Sequence, residues 1–143
     1  MRGLLLVSLG TLIALSGCAG APSPRPGHAG ASLSGPIRYP SELAPAMRVC
    51  ALPAQGTATC VNTADGQHEY RITGLAGGEY RVVAALSEGE MRVGGHVAEV
   101  QCIRAPCPAM LKTEVLPAGA DLTGIDINGF YPAREDFPPL PGA

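Results

Sequence analysis

The chain has 143 residues, of which 46% are hydrophobic, 15% charged and 4% aromatic, with a formal net charge of −2 at pH 7. This length is enough for one domain and too short for two domains of ordinary size. The arginines are scattered singly along the chain, whereas nucleic-acid-binding proteins carry clustered basic residues, so we exclude nucleic acid as a partner.

Residues 1–17 have the features of a secretory signal peptide. Arg2 precedes an apolar run of about a dozen residues, which is too short for a bilayer because spanning one needs about 20 residues. The segment ends in a sequence that resembles the lipobox of bacterial lipoproteins, namely Leu15, Ser16, Gly17 and Cys18. An ordinary signal peptide cleaved nearby and a buried apolar helix are the alternatives.

The lipobox resemblance implies a cellular address. Lipoproteins of this kind lose the signal peptide and carry acyl chains, palmitate among them, on the cysteine that becomes the first residue, which here is Cys18. Two or more acyl chains give stable membrane anchoring where one chain is marginal. Ala19 occupies the position at which an aspartate resembles an inner-membrane retention signal. In a Gram-negative host we therefore expect an outer-membrane lipoprotein of the cell envelope, facing the periplasm or the cell surface.

Two segments of biased composition flank the expected domain. Residues 18–35 place Cys18 before a stretch of alanine, proline, serine and glycine, which cannot bury enough apolar surface to fold, so we expect a flexible linker. Residues 132–143 form a proline-rich tail that we expect to be extended and undocked. The folded domain is then predicted to cover residues 36–131.

Short apolar stretches alternate with turn residues throughout this domain. In the clearest pair, at 69–73 and 79–86, apolar and polar residues alternate with the period of two that is typical of half-buried strands. A glycine-rich turn at 74–78 joins them. Strands are predicted at 36–39, 48–52, 57–62, 68–73, 79–86, 93–102, 110–116 and 122–127. Regularly spaced short strands without a long helix predict an all-β fold, a sandwich of about seven to eight strands.

The cysteines are able to supply covalent support. If Cys18 carries lipid, an even number remains in a chain exported to an oxidising compartment, which favours disulfides. Several pairings are possible, and the spacing favours the two local ones. Cys50 and Cys60 would lie opposite each other in a hairpin that turns with Gly56 in a left-handed conformation. Cys102 and Cys107 would close a small loop.

The residue pattern gives less support to metal binding. Zinc sites pair closely spaced cysteines with a second such pair or with histidines, and the nine residues between Cys50 and Cys60 exceed that spacing. His68 and His96 stand alone in strand-like runs, so we expect both at the surface or at a sheet edge. Residues 126–129 are expected to form a turn after the last strand and not a calcium-binding loop.

Motifs of catalysis are also missing from the sequence. No nucleophile elbow, zinc-protease helix or phosphate-cradling loop occurs, and serines and acids are too scattered to name a catalytic triad. We therefore expect a protein that is not an enzyme and that uses no cofactor.

A longer series of residues resembles a known family. Its central run contains Tyr70, Ile72, Gly74, Leu75, Gly78, Tyr80 and Val82. Together with segments at 39–41, 48–51, 59–61, 124–126 and 130–131, this run is similar to carboxypeptidase regulatory-like, transthyretin-like domains, in particular those of small bacterial envelope proteins. The resemblance implies a seven-stranded Greek-key β-sandwich in which the turn at Leu75 carries the chain between sheets. It also implies a folding or docking module without catalytic residues.

Residues 87–109 depart from this family pattern like an insertion, and an extra hairpin at one end of the sandwich is one interpretation. Because loops on a rigid scaffold are common binding sites, the first candidate contact surface lies in this segment, for a partner protein of the envelope. It comprises Ile103, Arg104, Ala105 and Pro106. The alternative function is a protease inhibitor that presents Arg104 in the loop closed by Cys102 and Cys107. The oligomeric state is left open.

Overall fold

A computed structural model describes residues 30–98, 104 and 107–141 of the chain. Over these residues the protein is all-β and contains nine strands. They are β1 (Ala31–Pro36), β2 (Met47–Pro53), β3 (Thr59–Asn62), β4 (Glu69–Leu75), β5 (Gly78–Leu86), β6 (Val93–Gly95), β7 (Glu114–Leu116), β8 (Asp121–Leu122) and β9 (Gly129–Tyr131). No helix in the described ranges is long and apolar enough to cross a membrane.

The strands form two sheets that share one apolar core. The small sheet has the order β4-β1-β8, and the large sheet has the order β3-β2-β5-β6-β9 with β7 also paired to β5. Strands β1 and β8 run parallel, whereas the pairs of the large sheet are antiparallel. Leu33 and Ile72 of the small sheet are completely buried with Val49 of the large sheet. The predicted all-β sandwich is confirmed.

The corner between β4 and β5 follows the predicted alternation. Tyr70 and Ile72 are buried while Arg71 is exposed, and Val82 of β5 lies in the same core. Gly74 adopts a positive φ of 75°, which a residue with a side chain rarely adopts. Tyr80 donates a hydrogen bond from its hydroxyl to the Ala76 carbonyl at 2.9 Å, which closes the turn. The chain thus passes from the small sheet to the large one at this corner.

The first strand corrects the predicted linker boundary. Residues 18–35 were expected to be unfolded and the first strand to lie at 36–39, but β1 begins at Ala31, and Ala31, Ser32 and Leu33 are all buried. The strand lies between β4 and β8, and Leu33 packs in the apolar core. Composition alone does not distinguish such a packed strand from a linker. The folded domain therefore starts at least five residues earlier than predicted.

Other boundaries differ because the strands are shorter than their apolar runs. In the described part of the run at 93–102, which ends at residue 98, the strand covers Val93–Gly95, and Val97 makes an isolated bridge to Leu111. The run at 122–127 begins inside β8, and its last residue, Ile127, makes an isolated parallel bridge to Ile37. The first part of the insertion-like segment is thus built into the large sheet, where β6 pairs with both β5 and β9.

Gly35 marks the closest approach of backbone segments in the core. A Cβ atom at this position would lie 2.1 Å from the Ile125 carbonyl oxygen, which also accepts a hydrogen bond from the Tyr70 hydroxyl at 2.6 Å. Burial, followed by the charge of Asp126, raises the pKa of Tyr70, so the hydroxyl remains protonated and able to donate. Only glycine allows β1 and this carbonyl to meet.

We expect Gly35→Ala to lower the free energy of unfolding by about 3 kcal/mol, because the added methyl group must displace backbone and not a flexible side chain. Urea denaturation of the two proteins measures the difference. Gly78→Ala is the matched control in β5, because its Cβ would meet nothing nearer than a Tyr80 ring carbon at 3.8 Å. Equal stability of the two variants would refute the close approach.

Candidate functional site

The large sheet carries a second apolar layer on the face that points away from the small sheet. Val49 and Ala51 of β2 face the sandwich core. Cys50 and Leu52, which alternate with them along the strand, face the opposite side. There they pack with Val83 and with side chains from two later segments, residues 107–111 and 131–140, which we call the outer cap. The cap contributes Ala109, Leu111, Tyr131, Phe137 and Leu140.

A disulfide fixes the edge of the sheet beneath this layer. Cys50 and Cys60 are direct partners across β2 and β3, their Cα atoms lie 4.0 Å apart, and a disulfide joins them as predicted. Gly56 in the intervening turn has a φ of 103°, the left-handed conformation expected for it. Because Cys50 is completely buried, the bond belongs to the outer apolar layer as well as to the sheet.

In the predicted loop between Cys102 and Cys107, which contains the contact residues, the structure describes two positions. Arg104 is exposed, and Cys107 is disulfide-bonded and partly buried. Its expected partner Cys102 lies outside the described residues, as do Ile103, Ala105 and Pro106, so this pairing stays a prediction. The inhibitor hypothesis for Arg104 likewise stays a prediction.

The C-terminal tail holds the base of this loop. Arg134 donates from Nη1 to the Cys107 carbonyl at 3.0 Å and forms two hydrogen bonds of 2.7 Å to the Asp136 carboxylate. The backbone N–H of Ala109 donates to the same carboxylate at 3.4 Å. The Arg134 guanidinium also lies 4.9 Å from the centroid of the Tyr131 ring. The tail and the 107–109 segment are therefore tied together by charged hydrogen bonds.

These contacts correct the expectation of an undocked tail. Phe137 is only 7% exposed and packs on the outer layer, with its ring centroid 5.7 Å from that of Tyr131. Leu140 is partly buried in the same layer. Proline-rich composition favours an extended, undocked tail, but one aromatic and one aliphatic side chain suffice to dock this segment. The opposite charges of Arg134 and Asp136, directly before Phe137, are the signal in the sequence.

His96 is a further correction, because it is buried and not at the surface. Its side chain lies between Asp126 and Glu114, with Nδ1 2.7 Å from the Asp126 carbonyl oxygen and Nε2 3.1 Å from Glu114 Oε1. Each ring nitrogen therefore faces an acceptor oxygen, one from the backbone and one from a carboxylate. Arg38 pairs with the Asp126 carboxylate at 3.0 Å, and Lys112 Nζ lies 3.3 Å from the same Glu114 Oε1 atom. His68, by contrast, is exposed as expected.

Residues 126–129 also differ from the predicted turn after the last strand. Ile127 is completely buried, and Gly129 begins β9, which no sequence pattern had indicated. Between them the Asn128 side chain accepts from the Val97 N–H at 2.9 Å and donates to the Val97 carbonyl at 3.0 Å. Among the described residues, no group of three or more His, Cys, Asp or Glu side chains is arranged to hold a metal ion.

Comparison of the chain with models of protein families, with curated proteins and with solved structures finds no match. The resemblance to carboxypeptidase regulatory-like domains therefore stays a prediction, and so does the Greek-key order that it implies.

We expect Phe137→Ala to lower the free energy of unfolding by about 3 kcal/mol, because the substitution leaves a cavity in the outer layer. Urea denaturation checks this value. Pro139→Ala changes an exposed residue two positions along the same tail and should alter stability by less than about 0.5 kcal/mol. A Phe137→Ala protein as stable as the parent would show that the tail does not contribute to folding.

The ion pair between Arg134 and Asp136 should make the contribution of the outer cap to the free energy of unfolding depend on pH. The hydrogen bond from Arg134 holds the pKa of Asp136 below its usual range in the folded protein. The stabilisation is therefore complete above about pH 4, which is the pKa of an aspartate in the unfolded chain. It is lost as pH falls through the lower pKa that Asp136 has in the folded protein. Urea unfolding of the parent and of Asp136→Asn should differ at neutral pH and converge in acid. A difference that is the same at every pH would contradict this role.

Proposed function

We propose that this protein is a lipid-anchored protein of the cell envelope whose β-sandwich is a non-catalytic binding module. The observation that carries the proposal is the fastening of the loop base at Cys107. That residue is disulfide-bonded, its carbonyl accepts from Arg134, and the segment that follows packs on the outer apolar layer. A contact surface that is ordered before binding has less conformational entropy to lose when a partner binds.

The proposed contact surface is the loop at 103–106, with exposed Arg104 at its centre. Protein partners are commonly bound by loops that a rigid scaffold positions, and arginine is enriched among the residues that dominate such interfaces. The scaffold here is the large sheet with its outer cap. We therefore assign a partner protein of the envelope to this surface.

The proposed anchor is Cys18, acylated after removal of residues 1–17. Strand β1 begins thirteen positions after Cys18, so even a fully extended chain would hold the sandwich within about 45 Å of the lipid. The module would then meet partners in or near the same membrane. We propose the outer membrane as that surface, because Ala19 is not aspartate.

In-cell crosslinking of the tagged protein, with mass spectrometry of what it captures, tests both the contact surface and the lipid anchor. We expect the parent to capture one envelope protein and the Arg104→Glu variant to lose it. A negative charge at this position would repel a partner surface that is complementary to arginine. Arg81→Glu is the matched control, since Arg81 is also exposed but lies on β5.

Capture that is the same in all three proteins, or no specific capture at all, would refute the binding role of the loop. Cys18→Ser separates the anchor from the loop in the same experiment. This variant should lack the mass of the acyl chains that the mature parent carries on Cys18, whereas a parent without that added mass would refute the proposed lipid anchor.

A further inference from the structure

Arg48, at the end of the large sheet, is a cation for which the described residues supply no acceptor. It lies on the outer face of β2, where its direct cross-strand partners are Asn62 of β3 and Ala85 of β5. Its Nε atom is buried and has no hydrogen-bond partner in the described part of the chain. The ion pairs found among the described residues do not include Arg48. A buried donor left in this condition costs free energy that a bound acceptor would restore.

An open cleft surrounds this guanidinium. It has a volume of 440 Å³ and is lined by Ala46, Met47, Arg48, Asn62, Ala85 and Leu86, among others. This volume lies within the range of small-molecule sites. The cleft therefore combines one unsatisfied cation with apolar walls that come from the ends of β2 and β5.

A second cleft of 330 Å³ continues from the first, because both are lined by Ala85 and Leu86. Val93 and Leu140 add apolar surface there. Arg92 adds another positive charge, and its guanidinium donates to a neutral acceptor, the Ser87 carbonyl, at 2.7 Å. The combined surface thus has a positive charge at Arg48 and another at Arg92, with apolar side chains between and beside them, and the docked tail forms part of its wall.

We propose that this double cleft binds a small amphipathic carboxylate, with the carboxylate on Arg48 and its alkyl chain along Ala85 and Leu86. The planar guanidinium matches a carboxylate through two parallel hydrogen bonds. The alkyl chain buries apolar surface against the second cleft. None of the residues that line the double cleft belongs to the loop at 103–106, so this proposal is tested independently of the proposed partner protein.

Titration of the full chain carrying Cys18→Ser with decanoate tests the proposal, because that substitution alters no described residue. We expect saturable binding by calorimetry and a shift of the Arg48 Nε–H signal in the NMR spectrum. Acetate, which lacks the chain, and decanol, which lacks the charge, should each bind roughly tenfold or more weakly.

Variants locate the site. Arg48→Met should weaken decanoate binding roughly tenfold or more, and Arg48→Lys should recover only part of it because lysine lacks the planar fork. Arg81→Met removes a charge from the same face of the large sheet and should leave binding unchanged. Absence of saturable binding, an unshifted Arg48 signal in the parent, or decanol binding as tight as decanoate would each overturn the proposal.

Discussion

Strand β5 buries side chains on both of its faces, and much of the remaining structure follows from this constraint. Val82 and Ala84 point into the core between the sheets, and Val83 points into the outer layer. The strand pairs with β2 along one side and with β6 and β7 along the other, so its backbone groups are satisfied within the sheet. A strand of this kind needs two covers, and the small sheet can supply only one of them.

The outer cap is the second cover, and it is assembled from parts that are distant in the sequence. Residues 107–111 and the C-terminal tail each offer too few apolar side chains to fold by themselves. Arg134 and Asp136 join the two segments, and the Cys50–Cys60 disulfide holds the edge of the sheet on which they lie. The loop proposed to bind a partner and the cleft proposed to bind a carboxylate both border this cap, so its integrity affects each of them.

Local pattern was sufficient to predict the parts of the fold that depend on neighbouring residues. The alternation in β4 and β5 and the pairing of Cys50 with Cys60 across a hairpin needed no knowledge of distant segments. The parts that failed depend on contacts between residues far apart in the chain. Burial of Leu33 requires β4 and β8 beside it, and burial of His96 requires Glu114 and Asp126. Docking of the tail also depends on a distant residue, because Arg134 donates to the Cys107 carbonyl. The sequence signals in the tail, Arg134, Asp136 and Phe137, therefore do not predict docking by themselves.

The position of β1 has a mechanical consequence. This strand lies in the centre of the small sheet, antiparallel to β4 and parallel to β8, and it is the first element of the described chain. A pull on its N-terminal end along the strand axis loads the hydrogen bonds on both sides in shear, so they must break together and not one after another. A sandwich held from this end would resist tension from its attachment point better than one held by an edge strand.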